Sequence, residues 1–184
     1  MIKSKIAYLN KINNKLVFGN FILGSLKPNQ VLVKLKYTSV CKSQIMEVKG
    51  KRGVDKFLPH CLGHEAYGTV IKFGSSVKKF KIGDKVICSW IPKSKNTTSN
   101  SIFDINNKKI NYGQIFTFGD HVIVNQKKLI FKPEYIKEID ASLFGCAIPT
   151  GAGLILNNLK KFKITDQIAV IGAGGVGLSS ILTL

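Results

Sequence analysis

Short apolar runs parted by polar turns set the pattern of the first ninety residues. Residues 5–8, 16–18 and 31–35 are such runs, separated by Asn13-Asn14 and by Lys27-Pro28-Asn29-Gln30, and the spacing predicts short β-strands. Residues 31–37 alternate only loosely between apolar and polar, which suits a partly open β-barrel. Residues 43–50 are predicted as a short helix stopped by Gly50 and Gly53. Strands are expected again at 68–73 and 85–90, with turns at Gly74-Ser75-Ser76 and Gly83-Asp84. From 91 to 112 the text turns polar and is predicted to be a surface loop. Residues 116–124 return to β, 140–143 open a helical segment, and 150–159 continue as helix with Pro149 near its start.

Beyond a boundary expected at about 156–166, an uncharged apolar stretch runs into Gly172-Ala173-Gly174-Gly175-Val176-Gly177. A G-x-G-x-x-G alone is weak, but this one lies between a predicted strand and a predicted helix, the setting that dinucleotide binding requires. Gly172 permits the tight turn, Gly174 lets backbone approach a pyrophosphate, and Gly177 allows helix and strand to pack closely; the helix N-terminus then faces the anion.

Composition sharpens this picture in three ways. At 184 residues and 45% hydrophobic, the chain buries one core or a core and a half. Its last residue follows Gly177 within the first helix of the nucleotide unit, so the sequence is expected to be the front half of a longer protein. The net charge of +18 invites a nucleic-acid reading. Against it, every basic residue except Arg52 is lysine, and pairs such as Lys78-Lys79 and Lys127-Lys128 fall between apolar runs, as solvated edges do. No nucleic-acid partner is therefore expected. The four cysteines form no dense framework and the first residues hold no long apolar run, so a reducing cytoplasm is the expectation. Residues 168–184 lack charge, yet their glycines favour a buried strand and helix over a membrane span.

Candidate chemistry centres on His64 and Glu65, where a turn containing Pro59 meets an apolar strand. A neutral imidazole suits a borderline metal, and Glu65 can stand behind it or act as an occasional extra ligand; an ordinary hydrogen-bonded His is the competing reading. Cys41 and Cys146 each lie at the mouth of an element, and two thiolates with one imidazole make a catalytic zinc set with one position open. No local C-x-x-C or H-x-x-H links the three. Cys61 and Cys88 read as small buried hydrophobes, and His121 as a structural residue of its strand.

Five signatures in order link these pieces: Cys41-Lys42-Ser43, Gly63-His64-Glu65, residues 80–86, Gly145-Cys146 with the following Pro149-Thr150-Gly151, and the glycine turn at 172–177. Together the chain resembles the zinc-dependent alcohol dehydrogenases of the medium-chain dehydrogenase/reductase family. The resemblance implies an α/β protein: a β-rich, GroES-like catalytic domain over 1–156, a partly open barrel, then from 157–184 the start of a Rossmann doubly wound parallel sheet. It implies that Cys41, His64 and Cys146 hold a catalytic zinc, with Ser43 and Glu65 taking part in catalysis. Lys42, Thr150, Gly172, Gly174, Gly175, Val176 and Gly177 would lie at the coenzyme, NAD or NADP, whose selecting residue is expected past the end of the chain.

Two departures stand out. Met46 occupies the position of a His that continues the family's proton relay, and Gln44 that of an Asp that orients the ligand His. The four cysteines that bind a second, structural zinc in many members are absent between Cys88 and Cys146, so one zinc per chain is expected. The implied reaction is hydride transfer between a small-molecule alcohol and NAD(P), by a homo-oligomer when full length; this chain alone is expected to be inactive. The rival readings are a non-catalytic member of the same family and a basic nucleic-acid-binding module.

Overall fold

The computed structural model describes residues 2–91, 100–104, 107–159, 163 and 165–184. Ten strands follow in order: β1 (Ile2–Leu9), β2 (Val17–Leu23), β3 (Gln30–Thr38), β4 (His60–Cys61), β5 (Ala66–Phe73), β6 (Lys85–Cys88), β7 (Asn100–Asp104), β8 (Lys109–Tyr112), β9 (His121–Asn125) and β10 (Leu129–Phe131). Strands β1, β2, β7, β8 and β4 close into a ring, and the others form a sheet in the order β10-β6-β5-β3-β9. Ile6 bridges to Gly119 between them.

Strand β3 explains its own loose alternation. It is flanked by β5 and β9, and Val31, Leu32 and Val33 are all buried, so side chains on both of its faces meet apolar neighbours. One core, including Ile6, Phe21, Val33, Val70, Phe80 and Phe116, joins ring and sheet.

The polar stretch at 91–112 corrects the loop expectation. Among its described residues it holds β7 and β8, an antiparallel pair in which Ile102 faces Ile110, and these strands complete the ring against β2 and β4. Ile102, Ile110 and Tyr112 are buried. Three buried apolar side chains suffice for this strand pair, while the alternate positions of β8 are Lys109 and Asn111. Residues 92–99, 105 and 106 lie outside the described residues.

The helices are α1 (Lys42–Val48), α2 (Glu138–Ala141), α3 (Ala147–Asn158) and α4 (Gly175–Thr183), with a 3-10 turn at Ser142–Gly145. Helix α1 ends where Gly50 adopts a φ of 62° and donates to the Glu47 carbonyl. Pro149 sits in the first turn of α3, where its missing N–H costs nothing. Helix α3 packs on α4 at Gly151, where a Cβ would lie 2.3 Å from the Val176 carbonyl oxygen. The strand expected before the glycine turn is not formed: among the described residues nothing pairs with 167–171, and Ile171 is fully exposed. A strand without a ladder neighbour leaves its amides to water. No single described helix is long and apolar enough to cross a membrane.

Candidate metal centre and coenzyme cleft

Three connections converge on one point. Cys41 is the N-cap of α1, with extended backbone (φ −84°, ψ 148°). His64 and Glu65 lie between β4 and β5, after Gly63, which has a φ of +90° and where a Cβ would lie 2.4 Å from Thr117 Oγ1. Cys146 occupies the corner between the 3-10 turn and α3. One ligating atom from each of Cys41, His64, Glu65 and Cys146 lies within 4.8 Å of the others.

The polar atoms in this cluster are unsatisfied. His64 Nε2 and Glu65 Oε2 are buried with no hydrogen-bond partner, as is Ser43 Oγ. On its other side His64 meets, at Nδ1, the side-chain Nε2 of Gln44, itself buried, while Gln44 Oε1 accepts the Cys41 backbone N–H at 3.2 Å. The spare nitrogen of His64 thus faces the sulfurs. Electrostatics point the same way. Burial first, then Glu65 and Cys41, push the Cys146 thiol up to about 12, with the Trp90 side chain acting in opposition. Burial raises the Glu65 carboxyl to about 7 against an opposing Ala147 N–H, and burial followed by the Arg52 charge lowers His64. Acidic groups crowded without a cation hold their protons; a divalent ion among them would reverse that balance. Two thiols, an imidazole nitrogen without a partner and a buried carboxylate oxygen fit zinc.

Other expected residues line a cavity of about 790 Å³: Cys41, Lys42 and Glu65, together with Gly172, Gly174, Gly175, Val176 and Gly177. Gly172 has a φ of +98°, and at Gly177 a Cβ would sit 1.8 Å from the Gly172 carbonyl oxygen, so both positions demand glycine. Thr150 is exposed and donates its hydroxyl proton to the Cys146 carbonyl at 2.7 Å, within its own helix. Cys61 and Cys88 are buried outside the cluster with thiols pushed up to about 12 by burial, and His121 joins no ligand cluster among the described residues.

Sequence reasoning missed three contributors. Trp90 sets its ring edge-on to His64, with centroids 6.4 Å apart. Lys128, buried, donates to the Trp90 carbonyl at 2.8 Å, and Ser89 Oγ donates to the Gly145 carbonyl at 2.8 Å, tying the end of β6 to the Cys146 corner. No local motif announces any of them; Trp90's being the only tryptophan was the one available hint.

Gln44 yields a prediction. Ligation through Nε2 requires Nδ1 to carry the proton, whereas Gln44 turns its Nε2 toward Nδ1 and its Oε1 toward the Cys41 N–H, so metal binding requires the Gln44 amide to turn over and present its oxygen to the ring. Gln44→Leu should weaken metal binding about tenfold in a competition titration, whereas Gln44→Asp should retain it.

Residues 27–134 match the family model described as the alcohol dehydrogenase GroES-like domain. The chain is 31% identical to alcohol dehydrogenase class-3 of Caenorhabditis elegans over 182 residues, covering 85% of this chain and 47% of that protein. It is 28% identical over 180 residues to S-(hydroxymethyl)glutathione dehydrogenase of Photobacterium damsela subsp. piscicida, covering 84% of this chain and 48% of that protein. Among solved structures, an alcohol dehydrogenase zinc-binding domain protein from Burkholderia ambifaria superposes with a TM-score of 0.87 at 20% identity, over 99% of this chain and 55% of that one. The chain spans about half the length of the curated relatives it matches.

Proposed function

The chain belongs to the medium-chain zinc alcohol dehydrogenase family, and on that premise we propose that it carries the zinc centre and part of the coenzyme site of an oxidoreductase interconverting small-molecule alcohols and aldehydes with NAD or NADP. The carrying observation is the convergence of Cys41, His64, Glu65 and Cys146 within 4.8 Å, with His64 Nε2 buried and unpartnered, beside a cavity shared with the glycine turn.

Cys41, His64 and Cys146 would hold the zinc, with Glu65 beside them as a further oxygen. Zinc when bound supplies a Lewis acid for the substrate oxygen, and the nicotinamide supplies the redox partner. The protein's own groups do the rest. Gln44 fixes the His64 ring. Ser43 Oγ, two residues along from Cys41, takes and passes the alcohol proton. The amides opening α4 and the bare backbone at Gly172 and Gly174 seat the pyrophosphate. Trp90 forms an apolar wall beside His64. Residues 1–156 are assigned to the catalytic domain and 157–184 to the nucleotide unit.

Cobalt titration of the metal-free chain tests this reading. One equivalent should develop an intense thiolate-to-cobalt charge-transfer absorption that zinc bleaches stoichiometrically. Uptake without that absorption, or none, would remove the zinc centre and the dehydrogenase reading with it.

A further inference from the structure

A second group of ligand atoms lies outside the site just described. Glu47 from the last turn of α1, Asp55 from the turn that follows, and His60 at the start of β4 bring one ligating atom each within 4.8 Å of one another. His60 Nε2 is 2.7 Å from Asp55 Oδ2 and 3.8 Å from Glu47 Oε1. His60 is buried, yet it and Glu47 line a cavity of about 340 Å³.

Each of the three uses its outer polar atom for positioning. His60 Nδ1 lies 3.0 Å from the Cys61 carbonyl oxygen, which can only accept, so Nδ1 carries a proton. Asp55 Oδ1 accepts the Phe57 backbone N–H at 2.9 Å. Arg52 Nη1 stands 3.9 Å from Glu47 Oε2. What remains pointing inward is Nε2, Oδ2 and Oε1. With Nδ1 protonated, the neutral ring presents a lone pair at Nε2 to two carboxylate oxygens. Three acceptors cannot face one another without a cation between them: either a proton on Nε2 or a metal ion. The backbone carbonyl behind Nδ1 is the support that metal-ligating histidines have, and the adjoining cavity leaves room for water to complete the coordination.

We propose that Glu47, Asp55 and His60 form a second, sulfur-free site for a zinc-class divalent ion. One imidazole and two carboxylates are harder than the thiolate set, so this site should be the weaker and should exchange its ion faster. It is independent of the catalytic assignment: none of its ligands belongs to the first cluster.

The test is cobalt binding to the intact chain at mildly alkaline pH, read by metal content and absorption together, in wild type, Glu47→Gln, Asp55→Asn and Cys41→Ser. Two ions per wild-type chain are expected, only one with charge-transfer absorption. Glu47→Gln and Asp55→Asn should each lose the ion that lacks it, weakening that site at least tenfold, while Cys41→Ser should lose the absorption and keep the other ion. Glu47 is partly exposed, so its Gln variant keeps the test open if Asp55→Asn does not fold. A single ion per wild-type chain that carries the charge-transfer absorption, or a second ion that survives both triad variants, would overturn the proposal and leave the triad as a hydrogen-bonded cluster of His60 and two carboxylates. An ion lost from the triad variants when no charge-transfer absorption exists would uphold this site and reject the thiolate centre.

Discussion

Cys41→Ser is expected to lower zinc affinity about a hundredfold or more while leaving the metal-free chain as stable as before, or slightly more so. A closed four-ligand zinc site is worth about 10–16 kcal/mol, so one ligand accounts for about 3 kcal/mol, or roughly two orders of magnitude in affinity. Serine's hydroxyl does not ionise near neutral pH and cannot replace a thiolate. Cys41 is also the N-cap of α1, a place where serine is preferred; its oxygen can accept an orphan amide of the first turn, a gain of about 0.5–1 kcal/mol. The two effects have opposite signs, which separates ligand loss from misfolding. His64→Ala and Cys146→Ser should lose the metal to a similar extent, but without the compensating gain. Cys88→Ser should keep the metal, since Cys88 lies in the core, and should lower stability by about 1–3 kcal/mol through an ill-paired buried hydroxyl. Metal competition and thermal melts on the same four proteins check the pattern. Zinc retained at wild-type affinity by Cys41→Ser would exclude that sulfur as a ligand.

How far the sequence reached follows from which forces act locally. Helix α1 was legible at 43–50 against an observed Lys42–Val48, because Gly50 and Gly53 end it through their own backbone preferences. The pair β7 and β8 was not, because its inward residues, Ile102, Ile110 and Tyr112, are scattered through a stretch rich in Asn and Lys and become a face only when β2 and β4 stand beside them. Residues 167–171 show the converse: an apolar run with strand composition remains unpaired where no neighbour is supplied. Cys41, His64 and Cys146 lie far apart along the chain, so no spacing rule could join them; family resemblance grouped them, and tertiary packing brings their ligand atoms together. Gln44 was legible only as a departure from that resemblance. Lys128 and the His60 triad had no signal, and Trp90 only its uniqueness, since their roles lie in contacts made by residues distant along the chain.

Gly145→Ala is expected to lower both stability and zinc affinity, the combination that Cys41→Ser should not give. A Cβ at Gly145 would stand 2.3 Å from the Cys88 carbonyl oxygen, 2.6 Å from Glu65 Cβ and 2.9 Å from Glu65 Cα. Two of those three atoms are backbone and the other is the Cβ fixed to it, so none can yield by changing rotamer. The chain must part there, pulling the 3-10 turn from β6 and stretching the Ser89 hydroxyl from the Gly145 carbonyl. Overpacking of this kind costs about 1–3 kcal/mol, and loss of the Ser89 bond adds about 1 kcal/mol. Cys146 is the next residue, at φ −146° and ψ −74°, so a displacement at 145 carries its sulfur away from Cys41 and His64. Gly24→Ala is the matched control: nothing lies within 4 Å of its Cβ position and its φ is not left-handed, so the substitution should be neutral or stabilising by about 0.4–1 kcal/mol with metal binding unchanged. Denaturant melts of the metal-free chains, followed by cobalt titration, read both quantities. Equal melts for Gly145→Ala and Gly24→Ala would mean that the Cys146 corner does not press on Glu65, and the seat of the second sulfur would have to be sought elsewhere.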